Sequence, residues 1–195
     1  YSLILLKPRR KQPVDAKWSQ GPRVPLDVIL DGIEDDGCNL GFRPGITSKT
    51  KDGKFIHVID VDVRDDELAD EAFAKLEELF GRKFLKACGR VISGSGGKSR
   101  HFHFVMDRPM RAKTIAHSRD KFKCEKTGKM RWRWEIEVFG EGKQIVLPPS
   151  IHPDTGAEYE WLQVPTTLPT LESEQLDEIL DDLTREAADF SEEDL

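Results

Sequence analysis

The architecture follows from Phe55-Ile56-His57-Val58-Ile59-Asp60-Val61-Asp62-Val63, a segment of alternating residues that ends with two acids. Alternation of this kind predicts a β-strand with Asp60 and Asp62 on the same side, roughly 6–7 Å apart along the chain. Two carboxylates so close together repel each other, and bound cations would stabilise them. Their oxygen atoms suit Mg²⁺ or Mn²⁺, so the pair is a candidate metal site. The alternative is a strand that simply runs out into solvent, where acids are common.

Helices and further strands are predicted on both sides of this segment. Helices are predicted over residues 25–33, over Asp66 to Phe80 and, as an acidic amphipathic helix, from about Glu172 to Leu183. Strands are predicted over residues 1–6, 38–43, 90–93, 101–105, 130–138, 143–147 and 159–161. The strands over 130–138 and 143–147 are expected to pair around Gly140-Glu141-Gly142. Mixed elements with short connections predict an α+β domain.

The chain of 195 residues is long enough for one hydrophobic core, and its charge is unevenly distributed. The net charge is −6, yet residues 108–133 hold ten Lys and Arg against two acids, and residues 170–195 hold eleven acids against one Arg. Such a chain can bind nucleic acid and stay soluble. We expect a folded domain over residues 1–169, followed by an acidic helix and tail over 170–195; this segment is either a linker to a further domain or a free tail.

The composition excludes a membrane protein. No apolar run approaches the ~20 residues needed to cross a bilayer, and the apolar residues 1–6 are too few for a signal sequence. The three cysteines, Cys38, Cys88 and Cys124, form no CxxC pair, and their odd number suits a reducing compartment better than a set of disulfides. We expect a cytoplasmic protein without a structural zinc site.

A second pair of acids alternates in Glu135-Ile136-Glu137. One of these acids could join Asp60 and Asp62 in a carboxylate cluster that holds two metal ions. Two ions ~3.5–4 Å apart would bind the attacking and leaving oxygens of a phosphoryl transfer. The alternative is that the glutamates are cross-strand partners of Lys or Arg.

The segment Ser93-Gly94-Ser95-Gly96-Gly97-Lys98-Ser99 precedes an alternating strand that begins near His101. A P-loop would need Gly in place of Ile92 and a helix after the loop, so that interpretation fails. Exposed N–H groups and basic side chains still suit an anion, although an ordinary hairpin loop is the alternative. His101 and His103 share one side of the strand and could form a metal site with Asp107, as in a cupin, but that fold is all-β.

Basic residues with interleaved aromatic residues follow this strand. The candidate nucleic-acid-binding residues are Arg111, Lys113, Arg119, Lys121, Lys123 and Arg131, with Phe122, Trp132 and Trp134 among them. Basic and aromatic side chains together suit the backbone and bases of a single strand. The alternative is a solvated loop whose charges only aid solubility.

The order of these motifs resembles the primase-polymerase (prim-pol) branch of the archaeo-eukaryotic primase superfamily, found in phage, plasmid and mobile-element replication proteins. The resemblance spans Cys38 to Trp161. It rests on Asn39-Leu40-Gly41-Phe42-Arg43-Pro44-Gly45, then Val58 to Asp62, then Ser93 to Phe104, then Ile136 to Gly142, and then Pro148-Pro149-Ser150-Ile151-His152.

The resemblance implies an RRM-like mixed or antiparallel sheet with an appended α/β unit, and DNA primase or polymerase activity. It also implies Mg²⁺ or Mn²⁺, a single-stranded DNA template with a primer, NTP or dNTP substrates, and a helicase domain or other replication partner. Asp60, Asp62 and Glu137 match the metal-binding catalytic acids, and His101 matches a catalytic, phosphate-binding histidine. The nucleotide-binding positions implied are Asn39, Arg43, Ser95, Lys98, Ser99, Arg100 and His101.

Two features depart from the family pattern. The third acid is commonly Asp, so Glu135 is an alternative to Glu137. The family commonly has SGG-x-H, whereas Lys98-Ser99-Arg100 separates Gly97 from His101. Two other functions use the same residues: a metal-dependent nuclease, and a catalytically inactive module that binds single-stranded DNA during replication.

Overall fold

The computed structural model describes residues 1–193, with side chains described through Arg185. Its helices are α1 (Leu26–Glu34), α2 (Ala69–Phe80), α3 (Arg82–Ala87) and α4 (Ser173–Glu193). Its strands are β1 (Leu3–Leu6), β2 (Asn39–Phe42), β3 (Phe55–Val63), β4 (Gly89–Ile92), β5 (Arg100–Met106), β6 (Lys113–His117), β7 (Lys121–Lys123), β8 (Met130–Trp132), β9 (Trp134–Phe139), β10 (Ile145–Leu147) and β11 (Glu160–Gln163).

The central element is a six-stranded antiparallel sheet with the order β11-β4-β5-β3-β9-β6. Strands β3 and β4 both run antiparallel to β5, which lies between them, and α2 and α3 connect them along the chain. Two parallel strands separated by an antiparallel third strand are the split β-α-β unit of RRM-like sheets. The α+β class predicted from the sequence is therefore confirmed.

One face of this sheet packs against helices. Alternation along β3 directs Ile59, Val61 and Val63 to this face, where they form the main core with apolar residues of α2, α3 and α4. Ile59 and Val61 are fully buried. This face therefore stabilises the sheet and leaves the opposite face for chemistry.

The opposite face is only partly covered. A three-stranded sheet with the order β1-β2-β10, supported by α1, packs over Ile56 and Val58 near the start of β3. This small sheet and its helix form the appended α/β unit. Asp60 and Asp62 follow at the other end of the same strand, beyond the apolar contacts of this cluster.

Several segments differ from the sequence prediction. A 3-10 turn over Asp66–Leu68 precedes α2, and the chain forms α3, β6 and β7, which the apolar pattern does not predict. The predicted pairing of residues 130–138 with 143–147 is wrong, because β9 pairs with β3 and β6 whereas β10 pairs with β2. The chain leaves the large sheet at Gly140, where an added Cβ would lie 2.0 Å from the carbonyl oxygen of Met110.

The C-terminal helix contributes to the main core through the part of it that the structure describes. Leu171 and Leu176 are buried there, and Asp107 accepts hydrogen bonds from the backbone N–H and hydroxyl of Ser173 at 2.8 and 2.7 Å. The predicted division at residue 169 stays a prediction. Within residues 1–193, every helix is too short or too polar to cross a bilayer.

Leu176→Ala should lower the free energy of unfolding by about 2–5 kcal/mol, because it opens a cavity between α4 and the sheet. Leu162→Ala is the matched control, since Leu162 is 51% exposed and its truncation should cost less than about 0.5 kcal/mol. Denaturant unfolding of both variants measures the difference. Equal losses would show that α4 does not stabilise the domain.

Candidate active site

Four acids meet on the uncovered face of the large sheet. The register of β3 and β9 pairs Asp60 with Glu137 and Asp62 with Glu135. Directly paired residues of antiparallel strands direct their side chains to the same face. The side chains of Asp60, Glu135 and Glu137 are 18–22% exposed, whereas that of Asp62 is 43% exposed. Asp60 and Asp62 thus share one side of β3, as predicted, and both glutamates lie on the same face; the metal site itself stays a prediction.

Negative charge at Asp60 is unfavourable in this arrangement. Burial raises the pKa of Asp60 to about 8, and the neighbouring carboxylates of Asp62 and Glu137 contribute to the rise, while Lys11 and Arg64 oppose it. A carboxyl with a raised pKa binds added positive charge strongly, because a cation relieves both the burial and the repulsion. The corner around Asp60 is therefore short of positive charge.

Two basic side chains form ion pairs with three of the four acids. Arg64 Nη2 lies 2.5 Å from Asp62 Oδ2 and 3.4 Å from Glu135 Oε2, and Lys143 Nζ lies 3.5 Å from Glu137 Oε1. Among the residues that the structure describes, no three His, Cys, Asp or Glu side chains converge into a ready ligand group for a metal ion. Arg64 was not singled out from the sequence, although it follows Asp62 by two positions and alternation places it on the same face.

His101 lies beside Asp60 in the adjacent strand. The register of β3 and β5 pairs the two residues, and His101 Nε2 is 3.4 Å from Asp60 Oδ1. The His101 side chain is buried, and its Nδ1 atom has no hydrogen-bond partner. Burial, and then the charge of Lys11, lower the pKa of His101 to about 3, so the imidazole is neutral at pH 7. A neutral ring with a free nitrogen can bind a ligand without first losing a protein contact.

The Gly/Ser loop, residues 93–99, lines a cavity of about 650 Å³ that Asp62 also lines. Ser99 is buried, accepts a hydrogen bond from the backbone N–H of Val63 at 3.0 Å and lies 3.3 Å from Asp62 Oδ1, so it helps to position that acid. Ser95 lines the cavity, and its buried hydroxyl has no partner. The Lys98 backbone N–H donates to Asp66 Oδ1 at 3.3 Å, while its side chain is exposed.

Three of the nucleotide-binding positions implied by the resemblance are not brought to the acids. Arg100 precedes His101 on β5 and therefore lies on the helix-covered face, where it lines a groove of α2 and α3 residues. The Arg43 guanidinium is buried and donates to the carbonyl groups of Trp18 and Gly21 at 2.8 and 2.7 Å. Asn39 is also buried, and its amide joins two segments of backbone.

The predicted basic region is built mainly from the hairpin of β7 and β8. Phe122 and Arg133 line the same cavity as Asp62, so one side of the hairpin faces the acids. On its other side, Lys121 Nζ lies 4.0 Å from the centroid of Trp132, which stacks on His117 with a centroid distance of 3.6 Å.

The remaining basic and aromatic candidates are distributed around this hairpin. Arg131 is on β8 opposite Phe122, and Lys123 is on β7 opposite Met130. Lys113 is on β6, with Arg111 and Arg119 beside that strand. Trp134 is buried and donates to Glu71 Oε1 at 2.9 Å, so its ring is not available to nucleic acid.

The alternative metal site at His101, His103 and Asp107 has no support. His103 is fully buried and packs against the rings of Phe42 and Trp161. Asp107 is bound to Ser173 at the start of α4, and the fold is not all-β. The two histidines thus share a strand face but not a ligand group.

Comparison with known proteins adds one match. The family model described as bifunctional DNA primase/polymerase, N-terminal (Prim-Pol), matches residues 1–174. The matched range runs from β1 to the first residues of α4 and includes all four acids. No curated protein matches the chain.

Proposed function

The chain belongs to the Prim-Pol family of bifunctional DNA primase/polymerase domains, and on that premise we propose that it transfers nucleotides from nucleoside triphosphates to a 3′-hydroxyl on a single-stranded DNA template, with release of pyrophosphate. The observation that carries this proposal is the row of acids on the uncovered sheet face, with a neutral, buried histidine beside Asp60. Acids beside a cavity that is lined by a Gly/Ser loop suit phosphoryl transfer.

The acids fit a divalent metal ion by their chemistry. Asp60, Asp62 and Glu137 would hold Mg²⁺ or Mn²⁺, because hard oxygen ligands suit these ions and the raised pKa of Asp60 reports a lack of positive charge. Arg64 would have to leave Asp62 to make room. When bound, the ions would lower the pKa of the attacking 3′-hydroxyl and neutralise charge on the triphosphate.

The side chains of the protein position the reactants. His101 would donate a hydrogen bond to a phosphate oxygen, since its ring is neutral and one nitrogen is free. Ser99 holds Asp62 in place through its contacts with β3. Catalysis would then depend on orientation and charge neutralisation, without a protein nucleophile.

The hairpin of β7 and β8 would hold the template. Phe122 faces the cavity and offers a ring on which a base can stack, and Arg131 opposite it offers positive charge to the backbone. The contact between Lys126 at the hairpin tip and Asp154 connects the hairpin to the segment after Ile151. A strand would thus pass between the hairpin and the Gly/Ser loop.

The direct test is incorporation of labelled nucleotides on a single-stranded DNA template with Mg²⁺ or Mn²⁺, with and without a primer. Extension that requires the metal supports the proposal. Shortening of the strand without added triphosphates would instead identify a nuclease. DNA binding that ignores both metal and nucleotide, with no extension, would identify an inactive binding module.

The double variant Lys123→Gln, Arg131→Gln should bind single-stranded DNA less tightly and with a weaker salt dependence. The slope of log affinity against log salt should fall by about 0.7 for each lost phosphate contact. Lys83→Gln, Lys86→Gln is the matched control, because it removes the same charge from α3 on the opposite sheet face. Equal slopes for the two double variants would exclude the hairpin as the template site.

A further inference from the structure

The corner between Asp60 and His101 has a cation that the motifs do not include. Lys98 is exposed outside the cavity lining, and Arg43 and Arg100 are turned to other parts of the fold. Lys11 is also exposed, but its side chain faces the phenol of Tyr159, whose ring lies beside that of His101. A triphosphate that approaches four acids needs such a cation, because like charges would otherwise repel it.

Lys11 lies over a group of aromatic and imidazole rings. The Lys11 and Ser93 side chains both face the phenol of Tyr159, whose ring lies 6.0 Å from that of His101 and 5.9 Å from that of His152, centroid to centroid. After burial, Lys11 is the next cause that lowers the pKa of both His101 and His152. Its ammonium thus lies at the phenol of Tyr159, and the Tyr159 ring neighbours both imidazoles.

The backbone around Lys11 is fixed from several directions. Lys11 lies in a turn over residues 7–12, which is closed by a hydrogen bond from the Lys7 N–H to the carbonyl oxygen of Gln12 at 2.8 Å. Asn39 Nδ2 donates to the carbonyl oxygen of Arg10 at 3.2 Å, and Gln144 Nε2 donates to that of Lys11 at 2.8 Å. Strand β2 and the segment before β10 therefore both hold this turn, and the position of Lys11 is set before any ligand arrives.

Two buried polar atoms of the segment over residues 93–101 have no partner in the protein. They are His101 Nδ1 and Ser95 Oγ, and both residues belong to the segment implicated in phosphate binding. Buried polar atoms are nearly always hydrogen-bonded, so unpartnered ones in a segment that matches a phosphate-binding motif suggest a ligand. A phosphate oxygen would satisfy such donors.

We propose that Lys11 binds the triphosphate of the incoming nucleotide together with His101, as the cation that the Gly/Ser loop does not supply. Asn39 acts as a positioning residue for it, because its amide holds both Arg10 and Ile151. This inference rests on the proposed function, since it assigns the phosphate-binding part of the same site. A primary ammonium is suited to this role as a compact charge with three donors.

The test compares the affinity of the full chain for dATP, inorganic tripolyphosphate and deoxyadenosine by equilibrium dialysis with Ca²⁺, which avoids turnover. Lys11→Gln should weaken dATP and tripolyphosphate binding about 10- to 100-fold, the range for a lost charge-assisted hydrogen bond. Lys11→Arg should stay within about threefold of the parent, because the charge is kept. Lys7→Gln removes one charge from the same turn and should bind like the parent.

Other outcomes would overturn the inference. Unchanged dATP affinity in Lys11→Gln would exclude the role, as would an equal loss in Lys7→Gln, which would indicate a general charge effect. An unaltered melting temperature of Lys11→Gln verifies that the fold is kept. If the melting temperature of Lys11→Gln falls and Lys11→Arg also binds weakly, Lys11 has a structural role. If Lys11→Gln extends a primer normally and binds dATP with unchanged affinity, the inference is wrong but the proposed function stands. If the parent shows no metal-dependent extension, the proposed function itself is wrong.

Discussion

Asp60→Asn should abolish nucleotide incorporation and, at the same time, raise the melting temperature of the metal-free protein at neutral pH. Loss of a metal-binding acid should reduce the rate at least about 10³-fold, because charge in the transition state is no longer neutralised. The gain in stability follows from the raised pKa, since an uncharged amide avoids the burial and repulsion that the carboxylate suffers. One substitution would thus remove the function and relieve the fold.

The stability difference between the parent and Asp60→Asn should depend on pH. The pKa of Asp60 rises from 3.8 in its ordinary state to about 8 in the folded protein, so folding takes up a proton between these values. Stability from this group is fully present below about pH 4 and is lost as the pH rises through 8. The melting temperatures of the parent and Asp60→Asn in EDTA should therefore agree at pH 4 and separate progressively by pH 8.

Asp62→Asn is the matched control for this separation. It should also lose activity, but it gives up the ion pair with Arg64 and should show no gain in melting temperature. Added Mn²⁺ should stabilise the parent and neither variant. A falling melting temperature for Asp60→Asn at pH 8 would contradict the electrostatic account of the site.

Glu137→Gln should reduce nucleotide incorporation about 10²- to 10³-fold, whereas Glu135→Gln should reduce it less than about tenfold. The structure separates the two acids by their partners. Glu137 is paired in register with Asp60, the most buried acid, whereas Glu135 shares Arg64 with Asp62 and lies 3.4 Å from the hydroxyl of Thr114. Steady-state incorporation with Mg²⁺ and with Mn²⁺ measures both losses.

The reverse ranking would assign Glu135 as the third acid. In that case Arg64 would have to leave both Asp62 and Glu135 when metal binds, so Arg64→Gln would raise metal affinity in calorimetry more than if Arg64 left Asp62 alone. With Glu137 as the third acid, Arg64 keeps Glu135 as a partner throughout. The two glutamates differ by only two positions, so each variant controls for the loss of one charge on β9.

The elements with strong local patterns could be predicted from the sequence. β3 has the predicted bounds because its alternation is complete, and α2 ends at Gly81, whose φ of 75° favours glycine. The local pattern could not predict β6 and β7, since their residues are mostly polar and the strands form only by pairing with β9 and β8. The pairing of β10 with β2 could not be predicted either. The glycines near Gly140 indicate a turn, but the sequence of a turn does not show whether the next strand pairs with the preceding one or joins another sheet.

The candidate site, too, could be predicted only where it depends on local sequence patterns. Alternation on β3 and β9 is a local property, so the sequence could place each pair of acids on one side of its strand, whereas their common face follows from the pairing of the two strands. It could also have shown that Arg100 and His101 point to opposite faces. Lys11 carries no such signal, because its position depends on Asn39 and Gln144, which lie far along the chain.

The hydrogen bond from Asn39 to Ile151 spans 112 residues. It therefore has a consequence for synthesis, because such contacts form only after the intervening chain has been made. A nascent chain that has emerged through β5 carries Asp60, Asp62 and His101, yet it lacks strand β9 with Glu137 and the ring of Tyr159 beneath Lys11. The helix-covered core can begin to form early, but the surface that would handle nucleotides closes only near the end of translation of this domain.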